Sequence, residues 1–301
     1  MNKQYYHICA DGNDARYFVL SDVDFFAAFN IVAVCAANTP ICVVAFCLED
    51  SHPHFLLFGT LEECTRFKLL FEDLYRRHAA ETRKKGSKLV LHCEIYPIGE
   101  DESYLRNVAV YTIIQPTKDG KRVMPYDYLW GTGSLYFRTG YYTPVWLFDE
   151  QGNVCQPVRF QDLSVQCRRE MIHSRRLTIP GDWWVCNGWV LPTNYVDVPK
   201  FESIYQTHNC FRVFLSNSRK KEEEILLRMA KARGIMLEDS EAREVCGNES
   251  KALFGTRDPR KLSPEQRVRL AQILRSKYRM SFRQMATCVR LPESEIRQYV
   301  P

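Results

Sequence analysis

Apolar runs of strand length alternate with longer stretches of helical period over the first 115 residues. Gln4 to Cys9 predicts a strand, closed by the turn residues Asp11, Gly12, Asn13 and Asp14. Arg16 to Leu20 is a second, shorter strand candidate. Ser21, followed by Asp22 and Asp24, caps an apolar helix running to about Ala37. Pro40 separates it from a strand that begins at Ile41. After the polar connection Glu49-Asp50-Ser51, a second apolar run opens on His52-Pro53-His54 and ends at Gly59. Thr60 with Glu63 three residues on is a capping box, and Phe67, Leu70, Phe71 and Leu74 give the next helix one apolar stripe. That helix turns basic (Arg76, Arg77, Arg83, Lys84, Lys85) and ends at Gly86. Lys88 to Ile95 predicts a further strand, and Asp101 to Gln115 a third helix stopped by Pro116 and Gly120.

The order strand–helix–strand–strand–helix–strand predicts an α+β fold of the ferredoxin-like split βαβ type, an antiparallel sheet with helices on one face. The third helix then follows a completed sheet, and the open face holding both histidines is where it can pack. Residues 121–200 are rich in aromatic residues, Gly and Pro with little periodicity. They read as an irregular connector whose aromatic rings serve burial or stack on unpaired bases. Phe201 to Leu215 and Lys221 to Arg233 are expected helices, and Glu238 to Arg260 a linker with a short helix. Three helices close the chain: one from Ser263-Pro264 to Tyr278, one capped by Ser281, and one from Glu293 to Tyr299 after the Leu291-Pro292 turn. Their apolar anchors fit a helix-turn-helix or a small cap for protein contacts.

Composition changes this picture in three ways. A length of 301 residues with 46% hydrophobic content supports a sizeable core and about two domains. No run approaches a membrane span and the N-terminus lacks a signal-peptide layout, so no membrane partner is expected. The twelve cysteines are scattered without any C-x-x-C, several inside apolar runs, as in a reduced, cytoplasmic protein. Charge is uneven: residues 201–301 hold 20 Lys and Arg against 13 Asp and Glu. A basic C-terminal third points to a polyanionic partner.

The candidate chemistry lies in the first part. In a strand, His52 and His54 point the same way with Pro53 opposite, so two imidazoles can bind one divalent metal. An H-x-H at a strand entrance is also an ordinary surface feature. Tyr111 and Gln115 share one face of the third helix and can approach one metal together. With these residues placed, residues 6–137 resemble the HUH single-tyrosine transposases, of the REP-associated type. The resemblance is carried by His52-Pro53-His54-Phe-Leu-Leu, by Leu105 to Gly120 (LRNVAVYTIIQPTKDG) and by Pro125-Tyr126-Asp127-Tyr128-Leu129-Trp130. It implies that His52, His54 and Gln115 ligate Mg²⁺ or Mn²⁺, and that Tyr111 is the nucleophile. The implied activity is cutting and rejoining single-stranded or hairpin DNA through a 5′-phosphotyrosine, with a homodimer left open as the assembly.

Three departures stand out: Pro53 between the histidines, Glu49-Asp50-Ser51 where Met-Pro-Asn is common, and Gln115 in place of Asn. They also suit a catalytically inactive DNA-binding regulator, the alternative to a transposase. A non-catalytic split βαβ ligand-binding module with a helix-turn-helix is a third reading, against which the Tyr111/Gln115 spacing argues. The expected domains are a nuclease domain over 1–138, a connector over 139–200, a helical linker region over 201–262 and the helix-turn-helix over 263–301. In the last, Glu293, Ser294 and Arg297 sit where recognition helices meet base edges, with Arg283 and Arg290 placed for phosphates.

Overall fold

The computed structural model describes residues 2–10, 18–83, 89, 91–117, 123–138, 147–148, 152–232, 239–278, 280 and 282–299. The expected turn at Asp11–Asp14, the helix end at Gly86, Gly120 and the Ser281 cap lie outside these residues. The fold is α+β and falls into two compact units, residues 1–222 and 223–301.

The first unit begins with β1 (Gln4–Ala10), α1 (Asp22–Asn38), β2 (Cys42–Leu48), β3 (Pro53–Gly59), α2 (Leu61–Thr82), β4 (Cys93–Pro97) and α3 (Glu102–Ile114). The four strands form one sheet in the order β2-β3-β1-β4, every neighbour antiparallel. Alternation along β3 divides its side chains between the two faces. Phe55 packs its ring on Phe67 and Phe71 of α2, at centroid distances of 5.3 and 5.0 Å. His54 points the other way, toward α3. Phe18 to Leu20, expected as the end of a short strand, form a bend instead.

Local signals set the helix starts. The Thr60 hydroxyl accepts from the Glu63 amide at 3.2 Å and the Glu63 carboxylate accepts from the Thr60 amide at 2.8 Å. Ser21 stands at the start of α1 without a side-chain cap bond. The work falls to Asp24, which accepts from the Leu20 amide at 2.9 Å. Asp24 is buried and also meets His78 at 2.9 Å and Arg83 at 3.3 Å, tying α1 to the end of α2.

The connector holds more order than its composition suggests. It contains α4 (Val165–Ile172) and a small antiparallel sheet of β5 (Val158–Arg159), β6 (Trp184–Cys186) and β7 (Trp189–Val190). Asn30 of α1 clamps this sheet, donating to the Gly188 carbonyl at 2.8 Å and accepting from the Val190 amide at 3.0 Å. Trp189 packs against Phe26, Phe29 and Trp130.

The outer edge of β2 is covered by two later segments. The Leu48 amide donates to the Trp130 carbonyl at 2.9 Å, and the Thr132 amide to Phe46 at 3.0 Å. Further along, the Asp197 amide donates to Val43 at 2.9 Å. Coverage of this kind removes an exposed template for strand pairing. The Gly131–Gly133 bend also passes tightly over Pro125. A Cβ on Gly133 would lie 2.7 Å from the Pro125 carbonyl carbon, which only a glycine avoids.

The two helices expected over 201–215 and 221–233 are divided elsewhere: α5 (Val198–Tyr205) ends at Gln206 with φ 64°, and α6 (His208–Ala232) then runs unbroken through both expected stretches. The Tyr205 hydroxyl donates to the Arg106 carbonyl at 2.6 Å and Arg106 returns a bond to Ile204 at 2.9 Å, fixing α3 against α5.

In the second unit, the stretch expected as a linker with a short helix is a 16-residue helix, α7 (Asp239–Phe254). It is followed by α8 (Pro264–Tyr278), α9 (Phe282–Val289) and α10 (Glu293–Tyr299). Ala242 and Cys246 of α7 share one core with Leu270, Leu274, Met285, Val289 and Ile296. Arg290, with φ 60°, ends α9 before the Leu291-Pro292 turn.

Candidate metal and tyrosine site

Strand alternation, the β2–β3 turn and the placement of α3 bring five polar groups to one side of the sheet. His52 and His54 lie with their Nε2 atoms 2.9 Å apart. At His52 Nδ1, the Ser51 hydroxyl is 2.7 Å away and a Glu49 carboxylate oxygen 4.0 Å away. The turn that presents them is closed by the Glu49 amide donating to the His52 carbonyl at 3.1 Å. It is held from the edge by the Tyr128 hydroxyl, which donates to the Leu48 carbonyl at 2.8 Å. Pro53 enters β3 at its first residue, where a missing amide hydrogen costs little.

One donor atom from each of Glu49, His52 and His54 lies within 4.8 Å of the others. Two imidazole nitrogens at adjacent positions on one ion, with bonds of about 2.1 Å, sit roughly 3 Å apart. The His52–His54 separation fits that spacing, and the carboxylate supplies a third, anionic donor. This cluster could hold a divalent cation. Glu49, flagged in the sequence only as added negative charge, is thus part of the donor set.

Tyr111 stands over this face. Its ring meets His54 edge-on at a centroid distance of 5.6 Å, and His7 of β1 likewise at 5.7 Å. Tyr111 is 6% exposed. Burial pushes its phenol well above the usual range, with Cys9 and Glu222 adding to the rise and the Gln115 amide opposing it. Gln115 follows α3 directly, and its side-chain nitrogen donates to the Tyr111 carbonyl at 2.5 Å. That bond uses one of the two amide hydrogens and leaves the amide oxygen to other partners.

His7 was not singled out by sequence, yet its Nε2 lies 3.2 Å from His54 Nδ1. The signal was available: His7-Ile8-Cys9 repeats in β1 the alternation of His52-Pro53-His54.

The C-terminal candidates lie apart from this cluster in sequence and in their own unit. Arg283, Arg290, Ser294 and Arg297 are exposed and Glu293 is half-buried. Arg297 is engaged within the unit, pairing with Glu293 at 2.6 Å and lying 4.5 Å over the Phe282 ring. All twelve cysteines are free. Among the described residues, no helix is long and apolar enough to cross a membrane. No family model, curated protein or solved structure matches the chain.

Proposed function

We propose that the chain is a transposase-type, metal-dependent endonuclease and strand transferase acting on single-stranded or hairpin DNA, with Tyr111 as its nucleophile. The observation that carries this reading is the edge-on contact of Tyr111 with His54, beside the Glu49–His52–His54 donor set. A tyrosine on one element and a histidine pair on another, fifty-seven positions apart in the chain, meet on one sheet face. The strand order β2-β3-β1-β4 supports the ferredoxin-like split βαβ frame expected of an HUH site.

In this reading His52, His54 and the Gln115 amide oxygen would hold the cation, with Glu49 as an anionic donor beside them. Two nitrogens among the donors favour Mn²⁺ over Mg²⁺, whose preferred shell is all oxygen. When bound, the ion polarises the scissile phosphate and offsets charge on its oxygens. The Tyr111 oxygen forms a bond to phosphorus as the bond to the 3′-oxygen breaks. The phenol loses its proton and the departing 3′-oxygen gains one. Attack by another strand's 3′-hydroxyl reverses the exchange and rejoins DNA. Because burial keeps the phenol protonated, deprotonation is the demanding step.

A groove of about 1080 Å³ beside the end of α3 supports a nucleic-acid substrate. Tyr126, Arg138 and Arg212 line it, offering an exposed ring for an unpaired base and charges for phosphates. In the second unit, the shared core of α8, α9 and α10 with exposed Arg283 and Arg290 supports a helix-turn-helix. The regulator reading draws on the departures around His52 and on the burial of Tyr111.

The test is covalent capture with Mn²⁺ and labelled hairpin DNA on a denaturing gel. A protein–DNA adduct is expected from the wild type and none from Tyr111→Phe, which still binds the hairpin. Hairpin binding without an adduct in the wild type overturns the transferase in favour of the regulator. An adduct that survives in Tyr111→Phe moves the chemistry to another residue, Tyr104 first.

A further inference from the structure

His54 presents its two ring nitrogens to two different donor sets. Nε2 faces His52 and Glu49 at the mouth of the site. Nδ1 faces inward, 3.2 Å from His7 Nε2, and the Cys9 sulfur completes a trio whose donor atoms all lie within 4.8 Å. His7, Cys9 and His54 are each 1% exposed. The strand register explains the convergence. Cys9 lies directly across from His54 on β1, and Cys47 directly across from it on β2. Residues paired across antiparallel strands point to the same face, so a thiol flanks His54 on either side.

We propose that His7, Cys9 and His54 form an inner site for a zinc-class divalent cation. The chemistry of the donors selects the ion. Imidazole nitrogen with thiolate sulfur suits borderline-soft Zn²⁺, whereas Mg²⁺ is held by oxygen. Donor atoms on one tetrahedral ion lie roughly 3.3–3.8 Å apart for bonds of 2.0–2.3 Å, close to the observed His7–His54 approach. Binding releases the Cys9 proton to solvent as the thiolate–metal bond forms. The ion would pin β1 to β3 and fix the orientation of the His54 ring, as outer-shell partners do at metal centres. The inner site shares His54 with the proposed catalytic cation, so holding both ions at once makes its ring a bridging imidazolate whose N–H proton goes to solvent. The inner site needs nothing from Tyr111.

Cobalt substitution tests it. The purified full-length chain, demetallated and loaded with Co²⁺, should show a near-ultraviolet thiolate-to-cobalt charge-transfer band. The band should persist in His52→Ala and in Cys167→Ser, a control for an exposed thiol. It should vanish in Cys9→Ser along with one equivalent of bound metal. His7→Gln provides the same readout if Cys9→Ser fails to fold by circular dichroism. Absence of the band from the wild type overturns the proposal, as does its survival in the folded Cys9→Ser or His7→Gln chain. Its loss in Cys167→Ser does so too. None of these failures touches the Tyr111 adduct assay, which reads the other reading separately.

Discussion

Tyr128→Phe removes one oxygen from the edge of the sheet. The Tyr128 hydroxyl donates to the Leu48 carbonyl at 2.8 Å, and Leu48 is completely buried. Leu48 closes β2, and its amide is already given to the Trp130 carbonyl rather than to β3. The pairing of Leu48 with Pro53 supplies no substitute, because proline has no amide hydrogen to offer. The ring stays in place in the variant, so no cavity term is added. What remains is a buried acceptor stripped of its donor, a loss of about 1–3 kcal/mol. All five tryptophans precede residue 223, so intrinsic fluorescence follows the first unit alone. Urea unfolding monitored that way should show the midpoint falling with an unchanged slope. A difference under about 0.5 kcal/mol would mean that water reaches the carbonyl, and the edge would not be sealed as described.

Two further outcomes follow from the structure. Burial lowers the His173 imidazole to about 4, helped by neighbouring His78. Between that value and the ordinary 6.5 the unfolded chain binds the extra proton, so stability falls as pH drops through this window; His173→Gln should flatten that part of the urea-midpoint profile, and an unaltered profile refutes the assignment. Arg283→Gln and Arg290→Gln should each reduce the slope of log affinity against log salt by about one while leaving sequence preference nearly intact; filter binding across a salt series measures it, and unchanged slopes would return the second unit to a protein-contact role.

What was legible in the sequence was what a short period encodes. Thr60 and Glu63 announced their capping box because both partners lie within one turn. His52 and His54 share a face through the strand period, and Tyr111 with Gln115 through the helix period. The β-strand order needed long-range pairing, but its connection pattern leaves few arrangements. His7 escaped notice because the thiol two residues on reads as core, and the histidine it meets is forty-seven residues away. The sheet β5–β7 escaped for a related reason. Its strands are two or three residues long and lean on Asn30 from a distant helix. The break between α5 and α6 falls at Gln206, where neither glycine nor proline marks it. The helix α7 was underestimated because few apolar residues, Ala242 and Cys246 among them, carry its packing face.

The sealing of β2 has a temporal side. Its first cover, residues 130–132, follows the strand by more than eighty positions, and its second, Val196-Asp197, by about 150. At synthesis rates of 5–20 residues per second, roughly 8–30 s separate the making of Val43 from the making of its last cover. Throughout that interval the nascent chain carries an apolar strand with one edge open. Ribosome-bound chains ending before residue 130 should therefore engage chaperones or one another, and chains extended past residue 197 should not. The aromatic stretch that looked like a passive connector is, on this clock, what brings the dangerous part of synthesis to a close.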